Sequence, residues 1–324
     1  MLVLPPDAAQ SLLSLDDILA AVGDAFRAFD AGRAHAFPVI AAAGSDPTTG
    51  IAIKSGRDDT KSVFGVKIGS YAPGNARRGL AAHASTVLLF DGETGALTAM
   101  VAATGLNGPR TGAADALAVD RLARPDAKIL ALFGAGHQAI WEARMIAHVR
   151  KLSEILVWTR SDQRFALFAE ELSRHIDAPI LRAEPETAAR KADIIATVTP
   201  SREVLIQAEW VKPGTHISAM GADMQDKQEL DPALVAGSRV FVDSVDQALR
   251  IGECQHAHRA GRLPRERILG ATLGALLTGR CAGRVADEEI TLFDSSGLAI
   301  QDIAVAHCAA MRARERGLGI EVAL

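Results

Sequence analysis

Residues 128–139, KILALFGAGHQA, constrain the fold of this chain more than any other stretch. An apolar, strand-like run leads directly into Gly134 and Gly136, and a helix-compatible segment, residues 138–149, follows. This order of strand, tight turn and helix is the context that a dinucleotide-binding turn requires. The first glycine permits a sharp turn, the second lets a pyrophosphate approach the main chain, and Ala139 fills the third small position. An ordinary glycine turn between a buried strand and a helix would have the same local sequence, so the segments downstream decide between the two.

Those downstream segments alternate between strands and helices. A helical segment, residues 161–174, separates two strand-like runs, and other helical stretches separate the rest. Such alternation indicates a parallel sheet with helices on its faces. We therefore predict an α/β protein with a Rossmann-type, doubly wound parallel sheet. The predicted strands of this sheet are residues 128–133, 154–158, 193–198, 215–220, 239–243 and 290–294.

The first third of the chain has a different pattern. Residues 1–32 place apolar side chains at helical spacing, with Ser14 in the position of an N-cap. Residues 34–104 contain apolar runs separated by turn signals, without alternating helices. This part is predicted to form a β-rich domain.

Two further helices set the predicted domain boundaries. Residues 109–122 carry the chain into the second domain, and residues 297–316 form a last helix that we expect to pack on the first one. The prediction is a substrate-binding and dimerisation domain from residues 1–112 with 299–324, and a dinucleotide-binding domain from residues 113–298. The last helix is expected to bury Ile300, Ile303, Ala304, Ala310 and Met311.

Composition argues against several classes of function. The 324 residues carry a formal net charge of −4 without a basic stripe, so no nucleic-acid partner is expected. No apolar run approaches the roughly 20 residues that span a bilayer, and the N-terminus lacks the features of a signal peptide. Three widely spaced cysteines include no CxxC pair, which is typical of reduced thiols. We expect a cytoplasmic protein without a membrane partner.

Five separated motifs resemble, in order and spacing, those of the ornithine cyclodeaminase/mu-crystallin family. They are GVKIGSYAPGN, FDGETGAL, PRTGAADALAVDRLARPDAKILALFGAGHQA, GADMQDKQELDP and DSSGLAIQDIA. The family includes ornithine cyclodeaminases, ketimine and pyrroline-carboxylate reductases, iminosuccinate reductase, alanine dehydrogenase and mu-crystallin, which also binds thyroid hormone. The resemblance implies a nicotinamide cofactor and, in the enzymes, chemistry at an amino- or imino-acid centre.

The resemblance assigns the chemistry to three residues. Lys67, between apolar neighbours in a strand, matches the family's active-site lysine, although a surface lysine on an edge strand would look the same. Arg110 matches an arginine that binds the substrate α-carboxylate, a role that suits a planar guanidinium, and its alternative role is an interdomain ion pair. Asp223 follows a strand, where ligands of open α/β sheets bind, and matches the general acid/base. Its alternative role is that of a turn or N-cap aspartate.

Other positions match family residues that contact the cofactor. They lie at the glycine turn, at the ends of the strands that follow it, and at the start of the linking helix. The resemblance implies that these residues bind the dinucleotide, since the cofactor itself carries the hydride. The implied cofactor-binding residues are Ala82, Arg110, Thr111, Gly134, Gly136, His137, Gln138, Thr159, Arg160, Ser161, Thr197, Met220, Gly221, Ala222, Lys227 and Ser295.

The end of the second Rossmann strand bears on the choice between NADH and NADPH. NAD-specific enzymes commonly place an acidic residue there to bind the ribose 2′-hydroxyl. Here Thr159 occupies that place, and Arg160 with Ser161 could meet a 2′-phosphate. The expectation is NAD(P)H with a slight preference for NADPH. If Arg160 points to solvent, NADH serves equally well.

The sequence differs from the family pattern at two places around the substrate. The stretch Phe37-Pro38-Val39 lacks an early arginine that often adds a second carboxylate contact, and Ala82 replaces a threonine that commonly touches the nicotinamide. His83 beside it is either a core histidine or a contact to a distal polar group of the substrate. Ser296, at the end of the last strand, completes the substrate-binding residues that the resemblance implies. These differences put cyclodeamination of ornithine in doubt but leave hydride transfer intact.

A metal site is not expected. Cys254, His256 and His258 lie at spacings that do not share one face of a helix, and they differ from the ligand spacing of zinc sites.

The predicted function is reduction by NAD(P)H of a small 2-imino acid to the amino acid. Cyclic substrates such as pyrroline-2-carboxylate and open-chain ones such as iminosuccinate or iminopropionate fit equally. Two alternatives stay open: an ornithine cyclodeaminase that releases ammonia, and an NADPH-dependent ligand-binding protein similar to mu-crystallin. We expect an active site in the cleft between the two domains, and a homodimer formed through the β-rich half.

Overall fold

The computed structural model describes residues 1–323. They form two compact units. The first comprises Met1–Arg110 together with the chain from Leu298 onwards, and the second comprises Thr111–Gly297. The chain changes unit close to the two predicted boundaries.

The strands and helices follow one another in an order that separates the two units. The strands are β1 (Leu2–Leu4), β2 (Ala34–Ala36), β3 (Ile40–Ala43), β4 (Gly50–Asp58), β5 (Val63–Tyr71), β6 (His83–Asp91), β7 (Leu97–Ala102), β8 (Ile129–Phe133), β9 (Glu154–Trp158), β10 (Ile180–Arg182), β11 (Ile194–Thr197), β12 (Arg202–Ile206), β13 (His216–Ala219), β14 (Gln228–Leu230), β15 (Arg239–Val242), β16 (Thr291–Asp294) and β17 (Ile320–Glu321). The helices are α1 (Pro6–Ser11), α2 (Leu15–Asp30), α3 (Asn107–Leu122), α4 (His137–Val149), α5 (Asp162–Ser173), α6 (Pro185–Lys191), α7 (Pro232–Gly237), α8 (Val245–Arg250), α9 (Cys254–Arg259), α10 (Leu273–Thr278) and α11 (Ala299–Glu315). Short 3₁₀ turns lie at Pro73–Arg78, Thr104–Leu106, Ala208–Trp210 and Arg265–Arg267.

The first unit is built on one largely antiparallel sheet, as the β-rich pattern predicts. Its strand order is β17-β1-β7-β6-β5-β4-β2, and β3 also pairs with β4. Helix α11 packs on β4, β5 and β6 and against α2. The helix comes close because the strands present glycines to it: a Cβ on Gly65 would lie 2.9 Å from Cδ1 of Ile303. The core of this unit therefore lies between one face of the sheet and helix α11.

Helix α2 begins where the sequence predicts. Ser14 Oγ accepts a hydrogen bond from the Asp17 backbone N–H at 3.1 Å, and Asp17 Oδ2 accepts one from the Ser14 N–H at 3.1 Å. This reciprocal capping box satisfies two N–H groups that a helix start leaves without partners. The prediction of Ser14 as an N-cap is confirmed.

Two local predictions in this unit are wrong. Residues 2–4 are not helical but form β1, which pairs with β7 and β17. That pairing depends on partners distant in sequence, which helical periodicity does not reveal. Met311, predicted to be buried, is 42% exposed. Beyond residue 308 the buried side of α11 is narrow and consists of Ala309, Ala310 and Ala313.

The sheet face opposite to α11 is apolar and open. Side chains alternate between the two faces of a strand, and the pairing register places Ile51 and Phe64 on the face away from Gly65. Among the large apolar side chains on this face, Ile40 is 65% exposed, Ile51 43% and Met100 36%. Contiguous exposed apolar surface of this kind usually marks an interaction site.

The second unit contains the parallel sheet that the sequence predicts. Its strand order is β10-β9-β8-β11-β13-β16-β15, and every neighbouring pair is parallel. From β8 the chain first adds β9 and β10 on one side of the sheet, and then returns to add β11 on the other side of β8. The switch point therefore lies between β8 and β11, where open α/β sheets bind ligands beyond the carboxyl ends of the strands. The small sheet β12-β14 and the edge strand β10 were not foreseen, because strands of three to five residues with exposed positions give little periodic signal.

No helix among residues 1–323 combines the length and the apolar character needed to cross a membrane.

Gly65→Ala should destabilise the first unit by about 1–3 kcal/mol, because the new methyl group would overpack against Ile303. Gly69→Ala, on the same face of β5, is the matched control, since its nearest neighbour would be Ala52 O at an ordinary 3.9 Å. Calorimetric melting of both variants measures the difference. Equal melting temperatures would show that α11 accommodates the new methyl group at residue 65 without loss of stability.

Candidate active site

A buried ion cluster in the first unit contains Lys67. The Lys67 side chain, on β5, donates from Nζ to Asp302 Oδ1 at 2.8 Å and to Asn107 Oδ1 at 2.6 Å. Lys67 is only 9% exposed and Asp302 5%. The alternative reading of Lys67 as a surface lysine on an edge strand is therefore wrong.

Arg110 belongs to the same cluster. Its Nε donates to Asp302 Oδ1 at 2.9 Å, and Nη1 donates to Gln301 Oε1 at 3.4 Å. Asp302 and Gln301 lie in the same unit as Arg110, so these contacts are not the interdomain ion pair considered as its alternative role. One carboxylate thus holds two cations, and these bonds do not use Nη2 of the guanidinium.

The sequence analysis missed Asp302. The signal was present, because an acidic residue stands inside the mostly apolar run at the start of α11. A charge is seldom fully buried without a partner, and the two cations supply the partners here.

The cluster has perturbed proton affinities. Burial lowers the pKa of Lys67 to about 8; the carboxylate of Asp302 opposes this change, while Arg110 and Lys54 add to it. Burial alone would raise the pKa of Asp302, but Arg110 and Lys67 outweigh it and hold that pKa below its ordinary value. The cluster carries more positive than negative charge and is suited to an anion.

Polar residues continue beyond Lys67 on the same face of the sheet. Asn107 Nδ2 donates to Ser85 Oγ at 2.9 Å, which ties the start of α3 to β6. The rings of Tyr71 and His83, a cross-strand pair, lie with centroids 4.5 Å apart. Because His83 is exposed, the reading of it as a core histidine is wrong. Ala82 beside it is half-buried, and its carbonyl accepts from the Ala72 N–H.

The glycine turn of the second unit has the geometry of an anion site. Gly134 has φ 122°, a conformation that favours glycine, and a Cβ there would lie 3.0 Å from Val198 O. Gly136 is the N-cap of α4, receives no side-chain capping bond, and has nothing within 4 Å of where its Cβ would stand. Ala139 is buried against the sheet. The N–H groups of the first turn of α4 and the open space beside Gly136 fit a pyrophosphate.

The side chains that follow the turn are accessible. His137 is exposed and lies edge-on to Trp141, with ring centroids 6.5 Å apart. Gln138 Nε2 donates to Glu142 Oε1 at 2.6 Å. Thr111, at the first position of this unit, lies within α3 and is half-buried.

The end of β9 presents cations. Thr159 is buried, Arg160 is exposed, and Ser161 caps α5 by accepting from the Arg164 N–H. Arg182, on the neighbouring strand β10, donates to Thr159 O at 3.4 Å and pairs with Asp162. The sequence analysis missed Arg182, because only the sheet order brings β10 beside β9.

The remaining predicted residues lie at the carboxyl ends of β11, β13 and β16. Thr197 ends β11 and is fully buried; Met220, Gly221 and Ala222 follow β13. After β16, Ser295 Oγ donates to Asp243 Oδ2 at 2.9 Å, and Ser296 Oγ donates to Gln247 Oε1 at 2.8 Å.

Gly221 lies against a buried acid that the sequence analysis did not identify. A Cβ at this position would collide with Glu229 and Thr199, so the close approach requires glycine. Glu229 Oε1 accepts from the Thr199 N–H at 2.7 Å, and burial raises the pKa of Glu229 to about 7.

Asp223 lies in the loop between β13 and β14. Its Oδ1 accepts from Lys227 Nζ at 2.5 Å, and the same ammonium donates to Gly221 O at 3.2 Å. No helix begins here, so the N-cap reading of Asp223 is wrong. The role of an acid/base calls for a nearby cation and for water-poor surroundings; Lys227 supplies the first, while the Asp223 side chain is 52% exposed.

Among the residues that the structure describes, no group of three or more acidic, histidine or cysteine side chains is placed to bind a metal ion. His256 Nε2 bonds with Lys227 O and His258 Nδ1 with Leu263 O, while Cys254 is fully buried.

Comparison with known proteins places this geometry in a family. The chain is 36% identical over 322 residues to the iminosuccinate reductase of Paracoccus denitrificans, with 99% of each chain covered. The crystal structure of that reductase in complex with NAD⁺ superposes with a TM-score of 0.93, at 37% identity over 100% of this chain and 99% of the other.

Two other solved structures are comparably similar. The Δ1-pyrroline-2-carboxylate reductase of Thermococcus litoralis, in complex with NADH and L-proline, gives a TM-score of 0.94 at 31% identity, with 99% of this chain and 100% of that chain covered. An archaeal alanine dehydrogenase dimer with bound NAD gives 0.93 at 33% identity over 100% and 99% of the two chains. The model of the ornithine cyclodeaminase/mu-crystallin family matches residues 3–317. With this match and these relatives over its whole length, the chain belongs to the ornithine cyclodeaminase/mu-crystallin family.

Proposed function

We propose that this protein is an NAD(P)H-dependent reductase that converts a small 2-imino acid into the corresponding amino acid. The observation that carries the proposal is the buried cluster of Lys67 and Arg110 around Asp302, which presents excess positive charge to a carboxylate. Relatives at 36% and 31% identity that reduce iminosuccinate and pyrroline-2-carboxylate support the same reaction class.

The first unit binds and orients the substrate. Asp302 fixes the Arg110 guanidinium through Nε, and Gln301 accepts from Nη1, so a substrate carboxylate can bind at Nη2. Asn107 and Asp302 hold the Lys67 ammonium, whose third proton is available to the same carboxylate. Groups held in this way lose little freedom when the substrate binds, which is the positional contribution to catalysis.

The second unit binds the cofactor and controls the proton. The cofactor supplies the hydride when bound. The amide groups at the start of α4, beside Gly136, hold its pyrophosphate, and the loop after β13 presents Asp223. Asp223 protonates the imine nitrogen or donates a hydrogen bond to it. Lys227 orients the Asp223 side chain through the hydrogen bond to its Oδ1.

NADPH is used at least as well as NADH in this proposal. Arg160 and Arg182, near the end of β9, offer two cations to a 2′-phosphate, and no acidic side chain stands at the position of Thr159. The relatives solved with NAD⁺ or NADH support the nicotinamide cofactor and do not decide this preference.

The working form is proposed to be a homodimer that covers the open apolar face of the first unit's sheet. Ile40, Ile51 and Met100 would be buried there, and the archaeal alanine dehydrogenase relative is a dimer. Light scattering measures the mass in solution, and a monomer at micromolar concentration contradicts this part of the proposal.

A panel assay tests the function directly. Oxidation of NADPH and of NADH should be followed with pyrroline- and piperideine-carboxylates and with 2-oxo acids in ammonia, which form open-chain imino acids. At least one imino acid should be reduced, with NADPH no less effective than NADH. No turnover with any member of the panel contradicts the proposed function, and a strong preference for NADH contradicts the cofactor assignment alone.

Asp223→Asn should lower kcat by roughly 10²–10⁴-fold, because the amide keeps the shape but cannot transfer the proton. Affinity for NAD(P)H should change little. Asp226→Asn is the matched control: Asp226 lies in the same loop, pairs with Arg259 at 2.6 Å and has φ 63°, which asparagine tolerates. Similar kcat values for wild type and Asp223→Asn would assign the proton to water or to Lys67.

Substrate binding should weaken in alkaline solution as Lys67 loses its charge. Its pKa is lowered to about 8, so the ammonium is present below that pH and is lost as the pH rises through it. The charged or polar groups around it are Asp302, Arg110, Asn107 and Lys54. KM should therefore rise by up to about tenfold per pH unit on the alkaline side.

Measurement of KM between pH 7 and 9.5 tests this expectation. Lys67→Arg keeps its charge throughout that range, so its KM should lack the alkaline rise. A flat wild-type profile would show that the lysine charge does not contribute to substrate binding.

A further inference from the structure

The carboxyl of Glu229 lies beneath the loop that carries Asp223. Glu229, on β14, is fully buried. Its Oε1 accepts a hydrogen bond at 2.7 Å from the N–H of Thr199, in the loop that follows β11. Its Oε2 lies against Gly221, in the loop that follows β13, where a Cβ would collide with that oxygen. One side chain therefore contacts the loops at two neighbouring strand ends of the parallel sheet.

The backbone on either side of Asp223 sets the position of this residue. The Asp223 side chain is 52% exposed, so burial among neighbours does not fix it. On its C-terminal side, the fully buried Gln255 donates from Nε2 to Met224 O at 3.2 Å. On its N-terminal side, Gly221 lies against the Glu229 carboxyl. Glu229 and Gln255 thus hold the segment with Asp223 from its two sides.

Lys227 links the two carboxyls electrostatically. Its Nζ donates to Asp223 Oδ1 at 2.5 Å and to Gly221 O at 3.2 Å. Burial raises the pKa of Glu229 to about 7, and the charge of Lys227 opposes this rise. The ammonium that orients Asp223 is therefore within electrostatic reach of Glu229 as well.

A purely structural role would not require a carboxyl at this position. Removing an ionisable group from water costs free energy that an apolar side chain of similar size does not cost. Buried ionisable groups with shifted pKa values cluster at functional sites. The contacts of Glu229 lie beyond the carboxyl ends of β11 and β13, where open α/β sheets bind their ligands. This location favours a role in the reaction over a role in folding alone.

We propose that Glu229 is a positioning residue of the reaction: it holds the loops after β11 and β13 together and thereby places Asp223 for proton transfer to the imine nitrogen. This assignment rests on the proposed function, in which Asp223 is the acid/base. Glu229 itself contacts no substrate and transfers no proton, so its effect on turnover passes through Asp223.

Turnover in two backgrounds tests this dependence on Asp223. Glu229→Met removes the carboxyl at similar side-chain length and should lower kcat about tenfold. KM for the imino acid should stay within about twofold, because Lys67 and Arg110 are unchanged. In Asp223→Asn, which has already lost proton transfer, the same substitution should lower kcat less than about twofold. A residue that only supports folding would lower kcat by the same factor in both backgrounds.

Two further variants separate position from stability. Glu229→Gln keeps an oxygen that accepts from the Thr199 N–H, so its kcat should be within about threefold of wild type. Asp231→Ala is the matched control, since it removes the N-cap of α7 just beyond β14, where Asp231 Oδ1 accepts from the Ala233 N–H at 2.7 Å. It should lower the melting temperature and leave kcat unchanged.

Amide hydrogen exchange measures the loop without turnover. In Glu229→Met, the amides of residues 220–227 should exchange about tenfold faster than in the wild type, because the loop opens more readily. Glu229→Gln and Asp231→Ala should leave this exchange within about twofold. If Glu229→Met does not fold, Glu229→Asp, which is one methylene shorter, replaces it in both measurements.

The outcomes distinguish this assignment from the proposed function. Unchanged loop exchange in Glu229→Met, or an equal fall of kcat in both Asp223 backgrounds, overturns the positioning role. An Asp223→Asn variant as active as the wild type overturns it together with the acid/base assignment, while turnover itself leaves the reductase function standing. If the wild type reduces no imino acid, the reductase function fails, and faster exchange in Glu229→Met still supports Glu229 as the residue that holds the loop.

Discussion

The first unit depends most on the ion pairs that the buried carboxylate of Asp302 makes with Lys67 and Arg110. This carboxylate accepts hydrogen bonds from Lys67 and from Arg110, so a residue near the C-terminus fixes cations from a central strand and from the start of α3. Removing one member of a buried ion cluster is strongly destabilising, by about 3–5 kcal/mol in general, because it leaves an uncompensated charge. The same cluster retains excess positive charge, so in the proposed function one arrangement both stabilises the unit and binds an anionic substrate.

That arrangement is possible because α11 approaches the sheet closely. Gly65 and Gly56 face Ile303 of the helix, and side chains at these positions would hold the helix away. At this separation Asp302, the residue before Ile303, reaches Lys67. The two-residue period of the strands then has a second consequence: the residues between the glycines and lysines project to the opposite face, which is apolar and exposed. The proposed substrate surface and the proposed dimer surface are thus two sides of one sheet.

The second unit follows different physical rules. Its main sheet is parallel, and the inner strands are buried on both faces, so the ends of these strands, rather than their side-chain faces, are available to a ligand. Gly134 and Gly136 open the end of β8 to an anion, and Asp223 follows β13, which is separated from β8 by β11 in the sheet. Buried acids such as Glu229 lie beneath the loops, where burial raises the pKa of Glu229 to about 7.

By itself, the sequence determined the type of each domain, the parallel sheet, the glycine turn and the capping of α2, because these follow from local periodicity and from residues with special backbone geometry. The motifs also indicated Lys67, Arg110 and Asp223 as the residues of interest. Only the tertiary structure decided what surrounds them. The pairing of Asp302 with Lys67 spans 235 positions of the chain, the position of Lys54 opposite Lys67 depends on strand register, and the place of Arg182 beside Thr159 depends on sheet order. These contacts arise from packing between segments distant in sequence, and no local pattern encodes them.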